Sequence, residues 1–189
     1  MDTAQLKQFY WTGALARACH RGDLKRFQTA LEQGGNPAGY HTFFQYTDHF
    51  RVLDGGAYNA TYTYAALPLF FALTARKEQT EQNRMTLADW LYQRTPNTDR
   101  LVRCDHVLTR PHDPTPLPNI LTGQTVHHRY WSFRNVVANA HVPIPTLQTR
   151  NLTWQRCRVG YFPITPRMLR HVQGWPNLPH LNFPDRTRT

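Results

Sequence analysis

The sequence predicts a mostly α fold: a short solenoid of three to four helix-turn-helix units carrying enlarged β-hairpin or finger loops. Three observations point to it. A compact helix-turn-helix signal occupies residues 12–38. The same order of signals returns after Leu67 and again after Thr115. Each such hairpin has one narrow apolar face that it cannot bury alone, so units must stack to make a continuous core.

In chain order, residues 1–11, with Leu6, Phe9, Tyr10 and Trp11, read as a short helix covering the open end of the first unit. The first unit begins with small residues (Ala16, Ala18, Cys19) that let a neighbouring helix come close. Gly22 suits the left-handed conformation of a helix C-terminus, and Asp23 caps a second helix whose Leu24, Phe27 and Leu31 share one face. Gly34-Gly35-Asn36-Pro37 ends it. This stretch resembles one ankyrin repeat: a small-residue helix, Gly-Asp-Leu at the turn, an amphipathic helix and a Gly-Gly-Asn-Pro exit.

Between residues 38 and 66 the pattern changes. Tyr40 to Tyr46 is aromatic-rich and extended, Asp54-Gly55-Gly56 is a turn signal, and Tyr58, Tyr62 and Tyr64 alternate with small or polar residues. This predicts a hairpin or long finger. The second unit, 66–97, opens on Leu67-Pro68-Leu69-Phe70, similar to the Thr-Pro-Leu-His opening of an ankyrin helix. It continues with Leu87, Trp90 and Leu91 on one face, and exits at Thr95-Pro96-Asn97. Residues 98–114 read as a basic finger. The third unit, 115–145, has Thr115-Pro116-Leu117 intact, then Phe133, Val136, Val137 and Ala140 at helical spacing. A fourth unit over 151–174 ends in a helix capped by Thr165, followed by an extended tail, 175–189. The openings lie 54 and 48 residues apart against an ankyrin period of about 33, so each unit carries an insertion. The whole chain, 1–189, reads as one domain.

Charge is uneven. The net formal charge is +10, and residues 95–189 hold twelve arginines and no lysine against four aspartates. That half should attract an acidic partner, either a protein face or nucleic acid. A genome that favours arginine over lysine would give the same composition. No stretch is apolar and long enough to span a bilayer, and the start lacks a secretory signal. The three cysteines, Cys19, Cys104 and Cys157, form no CxxC pair and fit a reducing cytosol.

Catalytic chemistry finds little support. Cys104-Asp105-His106 are adjacent, and neighbouring side chains seldom converge on one atom. His127-His128, with His112 and His141, lack an HExxH or CxxC partner, and no glycine-rich phosphate loop occurs. The expectation is therefore no enzyme, no cofactor and no metal.

The ankyrin resemblance implies a non-enzymatic protein-binding module, an adaptor, inhibitor or effector that covers an acidic protein surface. Its cytoplasmic setting becomes a host cytosol if the chain is a delivered effector or a viral protein. The candidate contact residues are Tyr40, Phe43, Phe44 and Tyr46 in the aromatic finger, Arg100, Arg103, His106 and Arg110 in the basic finger, and Arg150 and Trp154 in the fourth unit. The aromatic rings either pack on the units or face a partner. The alternative is a nucleic-acid-binding protein that uses the arginines for phosphates and the aromatics for stacking.

Overall fold

Asp2 starts the chain's first helix by a reciprocal cap. Its carboxylate accepts from the Gln5 N–H at 2.7 Å, and the Gln5 side chain accepts from the Asp2 N–H at 2.9 Å. In the computed structural model, which describes residues 1–53, 55–74, 80–139 and 164–175, this helix (α1, Thr3–Arg21) runs unbroken through the expected cap and first helix. Gly13 is tolerated inside it because the His41 ring packs there, 3.1 Å from where a Cβ would sit. Gly22 takes the left-handed conformation (φ 64°) and Asp23 caps α2 (Leu24–Glu32), as the local signals predict.

The chain then makes a β-hairpin, β1 (His41–Arg51) and β2 (Ala57–Ala66). Pro68 opens α3 (Pro68–Leu73), and α4 (Glu81–Tyr92) packs beside it. A 3-10 turn, Thr98–Arg100, leads into β3 (Val102–Thr109), which pairs antiparallel with β2. β4 (His127–Trp131) pairs with β3, and α5 (Phe133–Asn139) follows. α6 (Pro166–Gln173) is capped by the Thr165 side chain, as expected.

The fold is therefore α+β, with a four-stranded antiparallel sheet in the order β1-β2-β3-β4. This overturns the mostly α, ankyrin-like solenoid. The first hairpin is half of a sheet rather than an inter-repeat finger. The basic finger is strand β3, whose Val102 and Cys104 alternate with Arg103 and Asp105 at a strand's period of two before Val107-Leu108 interrupts the pattern. The third unit's opening forms no helix: Pro118 disfavours helical backbone at Leu117, and the Leu117 N–H bonds the Leu108 carbonyl at 2.8 Å. The Arg-rich helix expected over 151–160 lies outside the described residues.

The core lies where the helices meet one end of the sheet. Leu15, Leu69, Phe70, Leu73, Leu87, Leu91, Tyr64, Val102, Val136 and Met168 are all buried there. Among them sits Arg84, 0% exposed, donating to the Ala72 carbonyl at 3.1 Å and facing Glu81 at 3.9 Å. Burial lowers the Arg84 pKa and the Glu81 charge opposes that shift. Glu81 also accepts from the Thr165 hydroxyl, which ties α6 to α4. Removing one member of a buried pair leaves the other charge uncompensated. Arg84→Ala should therefore cost about 3 kcal/mol or more of folding stability, read as a lower urea midpoint. Arg94→Ala, on an exposed side chain of the same region, should cost well under about 1 kcal/mol.

Candidate binding faces of the sheet

Strand register decides which side chains act together. On the face that the helices cover at one end, Phe44, Tyr64, Cys104 and Arg129 form one cross-strand row, and Tyr46, Tyr62, His106 and His127 form the next. The second row is a stack of rings. Tyr46 and Tyr62 lie 4.7 Å apart at 13°, Tyr62 and His106 4.6 Å at 4°, and His106 and His127 6.0 Å at 44°. Rings stacked on one another have already used their π-faces, and the Tyr46 hydroxyl and His106 Nε2 are buried.

The opposite face is polar. Gln45 donates to the Thr63 hydroxyl at 3.0 Å, Thr47 and Thr61 share a bond at 3.1 Å, and His49 meets Asn59 at 2.6 Å. Near the helices this face carries a tight cluster. The Arg103 guanidinium lies 4.4 Å from the centre of the Tyr40 ring, and that of Arg100 lies 4.7 Å from the centre of Tyr130. Tyr130 sits directly across from Arg103 in the β3–β4 register. The Tyr40 hydroxyl donates to the Arg100 carbonyl, which fixes the 3-10 turn against β1. The Asn97 side chain caps that turn from the other side, at 3.1 Å from the Asp99 N–H. Asp105 holds Arg103 at 3.2 Å and His128 at 2.6 Å. Burial raises the Tyr40 pKa, and the Arg103 charge pulls it partly back.

The structure thus brings three of the expected contact residues, Tyr40, Arg100 and Arg103, into one cluster. Phe44, Tyr46 and His106 fall on the other face, within or beside the ring rows. Phe43, at the β1 irregularity, packs into the core against Phe70 and Phe71 at 5.4 and 5.7 Å. Arg110 lies over Tyr58 at 5.6 Å, at the end of the sheet away from the helices. Arg150 and Trp154 lie outside the described residues. Sequence reasoning missed Tyr130, Asp105 and His128 as cluster members. The signal available was the alternation of Val102-Arg103-Cys104-Asp105; His127–Trp131 carries none.

A strand's period of two separates neighbours. His127 lies tilted beside His106, while His128 bonds Asp105 on the other face; Cys104 and His106 likewise point away from Asp105. Among the described residues, no group of three or more His, Cys, Asp or Glu side chains could hold a metal ion, and no helix is long and apolar enough to cross a membrane. Burial raises the Cys104 pKa, so the thiol is held in its unreactive protonated form. Comparison with protein-family models, curated proteins and solved structures gives no match.

His106 and His41 have pKa values below the ordinary 6.5, chiefly because burial disfavours their charged forms, with His127 and Arg17 respectively adding to the effect. The unfolded chain takes up these protons at a higher pH than the folded one does. Their contribution to stability is therefore fully present above about pH 6.5 and declines as pH falls through that value. Urea midpoints should fall as the protein is acidified below neutrality, and His106→Gln should make that fall shallower.

Proposed function

We propose that this chain is a non-enzymatic protein-binding module whose polar sheet face grips an acidic surface of a partner, as an adaptor, inhibitor or effector. The observation that carries this reading is the Tyr40–Arg103 and Tyr130–Arg100 cluster. An arginine laid over an aromatic ring keeps its planar fork in a restricted orientation, so less entropy is lost when it forms paired hydrogen bonds to a carboxylate. Arg100 has no carboxylate within ion-pair distance among the described residues. Arg103 has Asp105, which also serves His128. The groups sit on paired strands and on a turn pinned to them, a rigid base for meeting another folded surface. The net charge of +10 gives the long-range attraction.

Phosphates would also suit the arginines. The ring row on the opposite face, however, has its π-faces turned on one another, where single-stranded bases need open π-faces. The two partners are separated by affinity capture from the cognate lysate, with and without nuclease, using wild type and an Arg100→Ala/Arg103→Ala variant. The expected result is one protein retained after nuclease and lost with the double variant. The loss should be at least about 2 kcal/mol, roughly thirtyfold in Kd, when measured with the purified partner. Retention that disappears with nuclease overturns the protein-binding reading in favour of nucleic acid.

A further inference from the structure

Among the described residues, β1 is an edge strand, and its open side has a definite chemistry. At the hairpin turn the Val52 N–H bonds the Gly56 carbonyl, and the Gly55 N–H bonds the Val52 carbonyl, both at 3.0 Å. The backbone groups of Val52 therefore point toward β2. Alternation along the continuous register from Phe44 to Arg51 turns those of Phe44, Tyr46, Asp48 and Phe50 the same way. The N–H and C=O groups of Gln45, Thr47 and Arg51 consequently point outward, away from the sheet.

Natural edge strands are usually guarded by lysine, proline or a bulge. β1 holds neither lysine nor proline, and its one irregularity lies between Thr42 and Phe44, at the end farther from the turn. The other edge is built differently. β4 has only five residues and passes directly into α5.

The sequence of β1 complements itself when reversed about Thr47. In that register Thr47 lies opposite Thr47, Gln45 opposite His49, Tyr46 opposite Asp48 and Phe44 opposite Phe50. Gln45, Thr47 and His49 keep their side-chain bonds to Thr63, Thr61 and Asn59, so the pairing is carried by the backbone, with hydroxyl beside hydroxyl, ring beside ring and no like charges opposed. Centring one residue further along sets Asp48 against Asp48, which is repulsive.

We propose that β1 pairs antiparallel with β1 of a second copy of this chain, with Thr47 on the two-fold axis, to form a continuous sheet twice as wide. Residues facing each other in this register share parity, so the axis is perpendicular to the sheet. Both Tyr40–Arg100–Arg103 clusters then lie on the same face. The dimer stands independently of the protein-binding reading. If that reading also holds, the dimer presents two basic clusters side by side to one acidic partner.

Sedimentation velocity of the full chain over a wide dilution series tests the proposal, with Thr47→Pro and Thr47→Lys as variants. Thr47→Pro removes an N–H that the β1–β2 ladder does not use, and Thr47→Lys keeps the backbone intact should the proline disturb it. The expected result is a concentration-dependent dimer for wild type and a monomer for both variants, with circular dichroism unchanged for Thr47→Lys. Register is read by mild oxidation in a Cys157→Ser background. A hydrogen-bonded antiparallel pair places Cα atoms about 5.5 Å apart, within disulfide range. Thr47→Cys should therefore cross-link two copies, and Gln45→Cys should not. A wild-type monomer at every concentration, a dimer that survives Thr47→Lys, or equal cross-linking through Gln45→Cys would each overturn the proposal.

Discussion

The structure depends on an aromatic seam that joins the sheet to the helices. Tyr64, in the middle of the buried end of β2, touches Phe43 at 6.3 Å, Phe44 at 6.0 Å and Trp131 at 5.9 Å. Phe43 in turn packs on Phe70 and Phe71 of α3, and Phe71 carries the His41 ring at 5.6 Å. Such ring pairs contribute about 0.5–1.5 kcal/mol each beyond their buried area. Because they link β1, β2, β4 and α3 at one place, they also fix which end of the sheet is buried. The extra residue in β1 makes this possible, since it lets consecutive phenylalanines both reach Tyr64. Away from that end the strands are mostly half-buried or exposed, with Ala60 of β2 still buried.

Polar contacts then determine how the helices close around the seam. The side chain of Asn83, on α4, donates to the Gly22 carbonyl at 3.0 Å, which sets the α1–α2 turn against the start of α4. A Cβ on Gly22 would come within 2.7 Å of the Thr80 backbone, so glycine meets both a conformational and a steric demand there. At the other end of α4, Asp89 accepts from His171 at 2.7 Å and from the Trp175 indole at 2.6 Å. Trp175 stacks on Tyr92 at 4.3 Å and on Phe133 at 5.6 Å, so α6 is held by rings and by one carboxylate together. Arg84, buried between these contacts, costs desolvation that only correct placement of Ala72 and Glu81 offsets, and this favours a single arrangement of α3 against α4.

The two sheet faces use their aromatic residues differently. On one, rings stack on rings and make a stiff row with little capacity for a flat ligand. On the other, rings lie against guanidinium groups. Lysine would not substitute there, because an ammonium lacks the planar fork that an aromatic face orients. The absence of lysine from residues 95–189 therefore has a structural counterpart at Arg100 and Arg103, whatever the origin of the composition as a whole.

What the sequence determined by itself is what depends on a few neighbouring residues. Gly22 and Asp23 set the first helix turn, Pro68 and Thr165 open helices, and the alternating tyrosines of β2 read directly as a strand, because caps and two-residue alternation are local interactions. The aromatic and arginine-rich character of the candidate contact surface was legible for the same reason. Tertiary structure decided the partnerships. Val102–Thr109 alternates only over Val102 to Asp105, and nothing local says that it lies beside β2 rather than looping out as a finger. That pairing follows from burying Tyr64, Cys104 and Trp131 together, across strands separated by tens of residues. Thr115-Pro116-Leu117 shows the converse: a helix-opening signal that fails because Pro118 denies it helical backbone and β3 offers Leu117 a strand contact instead. The meeting of Tyr40 with Arg103, and of Arg100 with Tyr130, likewise existed only once the register was set, since a one-residue slip would have sent each partner to the opposite face.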